Sequence, residues 1–389
     1  MRLFKILLSL LYGLCITIVM HFVNGCSYSL GGEAALLERV EALRSMVVDN
    51  ERQVPDSVLC VNVAYDKMLV DINDEYGMPQ GTLPITDRSK LLRFLRSAAQ
   101  ANRYTYILLD ISLLQGNITT EADDSLFLQI CSMPRVAFVR KSDENSGAVA
   151  SVSKPIREKS AYADYNVSLL ESKFTKYPLF QSDEPTLPTH IYKELTGSRF
   201  TSFGPLLFCN GQLASRSVFV PLTVLDVPTY EGQEKVLYNL GCDILDNEDY
   251  QPIGELTSGR FVIIGDFTEN DFHETYKGTL PGCIINYNAY LALLHNLHVV
   301  SFSSLLLQWL LFSIIIFFIL HPQTNFVQPI QRQRWGKTPV VRLLLSWCSL
   351  TLLITVICVV VYLLTGRIYE ILLTSTLFTA FSYYESNVN

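Results

Sequence analysis

The sequence predicts an α/β fold, with a mainly parallel sheet and flanking helices in an extracytoplasmic domain, joined to an α-helical membrane part. Two uncharged apolar runs, residues 303–320 and 343–364, are each long enough to cross the ~30 Å hydrocarbon layer as a helix. A third apolar run, residues 6–23, follows Arg2 and Lys5. Between these runs, short apolar stretches alternate with helical patterns, which is typical of a parallel sheet. We therefore expect one amino-terminal and two or three carboxy-terminal spans.

The charges around the apolar runs predict the orientation of the chain. The segment between the two carboxy-terminal runs carries Arg332, Arg334, Lys337 and Arg342 and no acid. Because cytoplasmic loops are enriched in Lys and Arg, this linker is predicted to be cytoplasmic. The polar chain between about residues 26 and 300 would then lie outside the cytoplasm.

Two interpretations of the first apolar run stay open. It is either a retained anchor or a signal peptide cut before Cys26, because residues 23–26 form a loose lipobox that ends in a lipidatable cysteine. The run is longer than a signal-peptide core of about 7–15 residues, which favours the anchor. Both interpretations place the middle domain outside the cytoplasm.

The end of the chain contains a weaker apolar stretch, residues 368–384, which includes Glu370. We predict a third carboxy-terminal span here, and an interfacial helix is the alternative. All three tryptophans follow residue 301 and suit anchoring at the headgroup level. The predicted divisions are 1–25 for the anchor or signal, 26–53 for a juxtamembrane helix, 54–300 for the extracytoplasmic domain and 301–389 for the transmembrane region.

Charge and cysteine usage exclude several classes of function. The chain has 37 acids against 30 Lys and Arg, and since cations outnumber acids in the membrane segments, the polar domain is the more acidic part. This balance argues against nucleic acid or anionic lipid as a partner of that domain. The nine cysteines show no CxxC or Cys/His metal spacing, and the sequence alone pairs none of them. No cofactor is predicted.

Residues 33–49 predict an amphipathic helix directly after the first span. Leu36, Val40, Leu43 and Val47 form its apolar stripe. The stripe could join two copies of the chain as a homodimer, or it could pack on its own domain. The shortness of the run favours packing within the chain.

The first half of the polar domain predicts a parallel sheet. Strands are predicted at residues 58–64, 104–109 and 135–139, and helices at 88–101 and 122–130, the first opened by Thr86 or Asp87 as N-cap. This alternation implies right-handed crossovers between parallel strands. Asp110 would then stand at the carboxyl edge of a strand, where open α/β sheets bind ligands.

The second half is less regular. Residues 141–184 are polar and predict loops and edge strands, including one at 161–167. A short helix is predicted at 185–197, and strands at 217–225 and 260–265. Because no repeat or long linker interrupts this region, we expect one domain.

The end of the polar domain carries a succession of motifs. Residues 259–265 read Gly-Arg-Phe-Val-Ile-Ile-Gly, and Asp271, His273, Thr275, Pro281-Gly282 and Asn288-Ala289 follow. This succession resembles the closing signature of the second CHASE family, whose members are extracellular sensory domains of cyclases and histidine kinases. In that family a GKxVxIG strand precedes an Asp-x-His-x-Thr-like loop, a Pro-Gly turn, a helix with Asn-Ala and three membrane spans.

Earlier segments extend the resemblance over about residues 54–384. Residues 58–64 resemble the first strand of the family, Asp87-Arg88 the start of its first helix, Leu109-Asp110 a strand end, and Asp123-Asp124 the start of its second helix. The resemblance implies a multi-pass protein of a bacterial inner membrane with its large domain in the periplasm. It implies ligand-binding roles for Asp110, Asp271, His273 and Thr275, and signature or structural roles for Arg88, Gly265, Pro281, Gly282 and Asn288.

The acidic loop after residue 265 has other interpretations. Asp266, Glu269, Asp271, His273 and Glu274 supply enough oxygen and imidazole to hold a divalent cation or to act as general acid and base, as in a cation-dependent hydrolase. The same residues could simply cap turns and helix starts. No HExxH or similar motif supports catalysis, so we predict no catalytic residue and leave the metal unassigned.

The function that we expect is sensing without an attached output. Only residues 385–389 follow the last predicted span, whereas signalling members of the family carry a kinase, cyclase or phosphatase domain there. A ligand or partner bound outside would therefore act through the membrane helices on a separate membrane or envelope protein. The alternative is a non-sensing structural or assembly subunit of an envelope complex.

Overall fold

The computed structural model describes residues 2–29, 32–45, 55–73, 76, 78–114, 120–140, 153–165, 173–225, 237–240, 253–321, 339–365, 367 and 369–388. Within these residues the helices are α1 (Arg2–Asn24), α2 (Glu33–Ser45), α3 (Arg88–Ala101), α4 (Asp123–Ser132), α5 (Lys154–Glu158), α6 (Leu187–Thr196), α7 (Ile253–Leu256), α8 (Gly282–Leu294), α9 (Phe302–Leu320), α10 (Pro339–Thr365) and α11 (Leu372–Val388).

The strands of the same residues are β1 (Val58–Asn62), β2 (Lys67–Asn73), β3 (Pro79–Thr86), β4 (Tyr106–Ser112), β5 (Val136–Arg140), β6 (Ser160–Tyr162), β7 (Lys176–Pro178), β8 (Phe180–Gln181), β9 (Glu184–Pro185), β10 (Phe200–Phe203), β11 (Leu206–Cys209), β12 (Gln212–Ala214), β13 (Ser217–Phe219), β14 (Tyr238–Asn239), β15 (Phe261–Gly265), β16 (Phe272–Thr275) and β17 (Gly278–Pro281).

Six of these strands form a parallel sheet in the order β14-β1-β15-β4-β5-β6. Strands β1, β5 and β15 are buried along their whole length, because helices cover both faces of the sheet. Helices α3 and α4 cover one face, and α6 and α8 cover the other. The expectation of a mainly parallel sheet with flanking helices is therefore confirmed.

Several sequence predictions agree with local structure, and others differ in extent. Helix α3 begins at Arg88, and the side chain of Asp87 accepts hydrogen bonds from the backbone N–H groups of Ser89 and Lys90, so Asp87 is the N-cap. The predicted strand at 217–225 is shorter, since it ends at Phe219. The edge strand predicted at 161–167 covers Ser160–Tyr162, and residues 166–167 lie outside the described part.

Three of the described helices are long and apolar enough to span a membrane, and the candidate spans are Leu3–Asn24, Phe302–Leu320 and Leu343–Leu363. By length and composition, these helices suggest a membrane protein. Helices α1 and α9 run antiparallel, because the Lys5 ammonium donates to the carbonyl of Leu320 and the indole of Trp309 donates to that of Leu10.

Helix α11 has 17 residues and packs inside the helical bundle. The ring of Phe378 contacts that of Phe312 on α9 at 5.3 Å, and Phe381 contacts Tyr12 on α1 at 5.0 Å. The predicted stretch 368–384 therefore includes a helix that belongs to the bundle and begins at Leu372.

Helix α2 lies between the α/β domain and the membrane helices. Ala34 and Leu37 join the core of the α/β domain, whereas Val40 joins the core of the helical bundle. Leu36 packs against the bundle, and Leu43 is 47 % exposed. The predicted apolar stripe thus packs on its own chain at a junction of two parts, while Val47 lies outside the described residues.

Candidate functional site

Asp110 marks the candidate site at the carboxyl edge of the sheet. It follows Leu109, which pairs with Ile264 of β15 on one side and with Phe138 of β5 on the other. Its Oδ2 accepts a hydrogen bond of 3.1 Å from the side-chain amide of Asn286 on α8. The strand pattern thus placed this carboxylate where ligands of open α/β sheets bind.

A buried phenol fixes the orientation of the Asn286 amide. The hydroxyl of Tyr177 lies 2.6 Å from Asn286 Oδ1 and 3.0 Å from the carbonyl oxygen of Ala163, so it donates to these acceptors. Because Oδ1 accepts from this phenol, the NH₂ group of the amide faces Asp110. Both Tyr177 and Asn286 are 1 % exposed, so this arrangement is shielded from solvent.

Asp271 and His273 approach the same edge from the β16–β17 hairpin. A 3-10 turn ends at Asp271, whose Oδ1 lies 3.5 Å from Nε2 of His273. A Cβ added at Gly282, the first residue of α8, would lie 3.0 Å from Asp271 Oδ2 and 3.2 Å from His273 Nε2. The glycine of the Pro281-Gly282 pair therefore provides the room in which the carboxylate and the imidazole sit.

Tyr165 lies near both parts of the site, the Asp110 carboxylate and the Asp271–His273 pair. Its ring meets the ring of His273 edge-on at 5.4 Å and that of Phe174 at 4.8 Å. Burial, followed by the charges of Asp271 and Asp110, raises the pKa of its hydroxyl. The Tyr165 hydroxyl finds no hydrogen-bond partner among the described residues.

The base of the site is closely packed. A Cβ at Gly265 would lie 2.9 Å from Cys283 Cβ and 3.4 Å from Asp110 Cβ. Burial, with the charge of Asp110 as the second cause, raises the pKa of the Cys283 thiol well above its ordinary value. A thiol in this state is protonated and does not serve as a nucleophile.

Three residues of the motif have structural contacts instead of facing the site. The Thr275 hydroxyl donates to the carbonyl of Gly278 at 2.5 Å and so closes the hairpin turn. Asn288 is fully buried, and its amide bonds the backbone of Thr223 and Val224.

Arg88 is the third of these residues. It is 1 % exposed and donates to Asp123 Oδ1 at 3.0 Å and to the carbonyl of Leu113. This buried ion pair connects the start of α3 to the start of α4, on the face of the sheet opposite to α8.

The acidic loop does not converge on one point. Asp266 accepts from the backbone N–H and the hydroxyl of Thr268, as the capping interpretation expects, and lies 3.8 Å from the ammonium of Lys67. Glu274 is exposed. In the part of the chain that the structure describes, no group of three or more His, Cys, Asp or Glu residues could hold a metal ion.

The site thus combines two carboxylates, an imidazole, an amide and a phenol that has no hydrogen-bond partner among the described residues. Sequence reasoning found Asp110, Asp271 and His273 but missed Tyr165, Tyr177 and Asn286. Both tyrosines lie within the polar stretch 141–184, which predicted loops and edge strands, so no local signal marked them. Chemically, the carboxylates suit a ligand that carries an amine or several hydroxyl groups.

No known protein family, curated protein or solved structure matches this chain. The resemblance to the second CHASE family therefore stays an expectation from the motif residues.

Proposed function

We propose that the α/β domain lies in the periplasm of a bacterium, binds a small ligand at the Asp110–Asp271 edge and relays its presence to the membrane helices. The ligand class is a small amine, because the carboxylates of Asp110 and Asp271 lie close enough to the Tyr165 phenol for their charges to act on it. The protein would then act on a separate membrane partner, as the CHASE-like motif implies, and we assign it no catalytic reaction.

The observation that carries this proposal is a chain of charged contacts from the hairpin to the membrane part. Lys277 lies at the turn of the β16–β17 hairpin, and its ammonium is 3.0 Å from Glu41 Oε2 on α2. The other oxygen of Glu41 accepts from the hydroxyl of Tyr362 on α10. Glu41 is 2 % exposed and Tyr362 is 1 % exposed, so these groups are shielded from water. Charges couple more strongly in such a buried environment than in water.

A second route runs along the chain, from α8 into the span that begins near residue 303. In that path Val299 first forms a bridge to Ala214, before α9 begins at Phe302. The hairpin, in contrast, reaches α10 through two side chains, so a displacement of His273 or Asp271 can shift α2 relative to α10.

The proposal is tested with the purified full chain and a panel of ethanolamine, putrescine and glycine. At a hundredfold excess over its dissociation constant, a bound amine should stabilise the chain by about 2.7 kcal/mol, and Asp110→Asn should abolish this gain. Hydrogen exchange in α2 and α10 should change on binding. Lys277→Gln should keep the stabilisation but lose the exchange response, whereas Lys154→Gln, which removes an exposed lysine of α5, should change neither.

A second candidate, a docking subunit of an envelope complex, has its own supporting observation. Tyr65, Leu69, Tyr76 and Met78, in and next to the β2–β3 hairpin, are between 63 and 89 % exposed. Several exposed large apolar side chains on one hairpin are compatible with a protein contact site. If no amine stabilises the chain, and a photocrosslinker at position 69 but not at the equally exposed Leu128 yields one discrete envelope partner, docking replaces sensing.

The orientation in the membrane has a separate test. A cysteine at position 336, in the basic linker, should resist a membrane-impermeant thiol reagent in intact spheroplasts, while one at position 146 reacts. Both positions lie outside the described residues and belong to the predicted cytoplasmic and periplasmic segments. Equal labelling of the two positions would contradict the proposed topology.

A further inference from the structure

Two cavities adjoin where the α/β domain meets the membrane helices. The upper one is lined by polar groups of Arg367, Asn24 and Ser217 and by apolar side chains that include Phe219 and Leu305. The lower one lies between α9, α10 and α11. Gln308 and Tyr369 line both cavities, so the two spaces meet at these side chains.

The lower cavity changes from polar to apolar along α9. Ser304, Leu307 and Gln308 line its first turns, and the Ser304 hydroxyl is 2.7 Å from that of Tyr369. Only apolar residues of α9, Leu311, Phe312 and Ile315, line it farther along the helix. At 1.5 Å per residue, this wholly apolar stretch of α9 begins about 10 Å from Ser304, inside the predicted span. A compound that fills both cavities must therefore have a polar head and an apolar tail.

Glu370 supplies an independent indication that something binds here. It is 2 % exposed and lines the lower cavity. Its Oε1 accepts from the ammonium of Lys176 at 2.5 Å, but its Oε2 finds no hydrogen-bond donor among the described residues. A buried carboxylate oxygen without a donor is unfavourable, and a ligand that donates to it would remove that penalty.

We infer that these cavities bind one membrane glycerophospholipid whose headgroup carries a hydrogen-bond donor. The phosphate would lie at the Arg367 guanidinium, which supplies a positive charge and also donates to the carbonyl of Val299. The headgroup ammonium or hydroxyl would donate to Glu370 Oε2, and an acyl chain would lie along Leu311, Phe312 and Ile315. Phosphatidylethanolamine and phosphatidylglycerol have such donors, whereas phosphatidylcholine has none.

The occupant is a lipid and not a free anion because of the depth and the lining of the lower cavity. Inorganic phosphate could meet Arg367, but it would leave the apolar part empty and would place a further negative charge near Glu370. A phospholipid with an ethanolamine head instead offers a negative phosphate to the arginine and a positive donor to the glutamate. Each end of the headgroup thus meets the opposite charge.

The test compares lipids on the unmodified full chain, so it does not depend on a variant that folds. The chain is delipidated in detergent and supplied with dioleoyl phosphatidylethanolamine, phosphatidylglycerol or phosphatidylcholine, or with inorganic phosphate. We expect the first two lipids to raise the melting temperature and to stay bound in native mass spectrometry. Phosphatidylcholine should bind with about tenfold lower affinity, because it lacks one hydrogen bond to a charged group. Equal stabilisation by all three lipids, or by phosphate as by phosphatidylglycerol, would overturn the inference.

Two variants locate the lipid. Leu311→Trp fills the apolar cavity and should abolish lipid retention, whereas Leu310→Trp, on the 44 % exposed neighbour, should leave it unchanged. Arg367→Gln should weaken retention of the phosphatidylglycerol by about tenfold. If Leu311→Trp keeps the lipid while circular dichroism shows a folded chain, the lipid binds elsewhere and the inference is wrong.

Discussion

Replacing Glu33 by Gln should change how the stability of this chain depends on pH. Glu33 is fully buried at the start of α2, and its two oxygens accept the backbone N–H groups of Ile371 and Leu372 at 2.7 and 3.0 Å. Burial, and then the charge of Glu370, raise its pKa from 4.5 to about 7. The folded chain therefore holds this proton more tightly than the unfolded chain does.

The sign and size of the effect follow from this pKa. Below pH 4.5 the carboxyl is protonated in both states, and its stabilising contribution is fully present. As the pH rises through about 7, the contribution is lost, because the unfolded chain releases the proton first. A shift from 4.5 to about 7 corresponds to at most about 3 kcal/mol of unfolding free energy.

His298 acts in the opposite direction. It is fully buried, and neither of its ring nitrogens has a hydrogen-bond partner among the described residues. Burial, and then the charge of Arg367, lower its pKa from 6.5 to about 4. Its contribution is present above pH 6.5 and is lost as the pH falls through about 4, again by at most about 3 kcal/mol.

The two groups should nearly compensate between pH 4.5 and 6.5. In Glu33→Gln only His298 remains of the pair, so stability should rise with pH across this window relative to the unmodified chain. In His298→Phe it should fall. The measurement is the melting temperature of the purified full chain in detergent at pH 4.5, 5.5, 6.5 and 7.5, each variant being compared with the unmodified chain so that other titrating groups cancel. Identical slopes in all three proteins would refute the reasoning.

Two further predictions concern the α/β domain. Gly265→Val should lower the melting temperature, because even the first added carbon lies 2.9 Å from Cys283 Cβ and overpacking costs about 1–3 kcal/mol, and a second change of Cys283→Gly should restore part of the loss. Asp110→Asn should change stability little. If Asp110→Asn unfolded the chain and Gly265→Val did not, the strand ends would be misplaced. Arg88→Met should destabilise the folded chain by about 3–5 kcal/mol in thermal unfolding, because Asp123 keeps a buried charge without its partner. The double variant Arg88→Met with Asp123→Leu should recover much of the lost stability. No recovery would mean that the pair matters only through packing.

The sequence predicted best what local chemistry determines. The helix at 88–101 and its Asp87 cap depend on neighbouring residues, and the structure has the same bounds. The position of Asp110 depends on one strand pattern and the known behaviour of parallel sheets. Asp271 and His273 came from a short motif, and the hairpin that carries them is itself local.

The rest could not be predicted because it depends on contacts between distant segments. Tyr165, Tyr177 and Asn286 meet from three separate parts of the chain, and their spacing has no pattern of its own. The strand predicted at 217–225 ends early because side chains occupy the backbone groups that a ladder would use: the Tyr276 hydroxyl bonds Val220 and Leu222, and the Asn288 amide bonds Thr223 and Val224. A side chain 64 residues away thus overrides a favourable local propensity.

The charges that least fit their local sequence are those that join the two parts of the molecule. Lys176 falls within the polar stretch 141–184 that predicted loops and edge strands, yet it is fully buried against Glu370, which had weakened the prediction of the last span. Lys277 and Glu41 form the other pair. In both pairs the lysine belongs to the α/β domain and the glutamate to an element that packs with the membrane helices. Because a buried charge that loses its partner is strongly unfavourable, two pairs of the same polarity favour one docking orientation, in which both lysines meet their glutamates. Such a junction can keep one pair as a pivot while the other separates, which is the property that a relay from the hairpin to α10 requires.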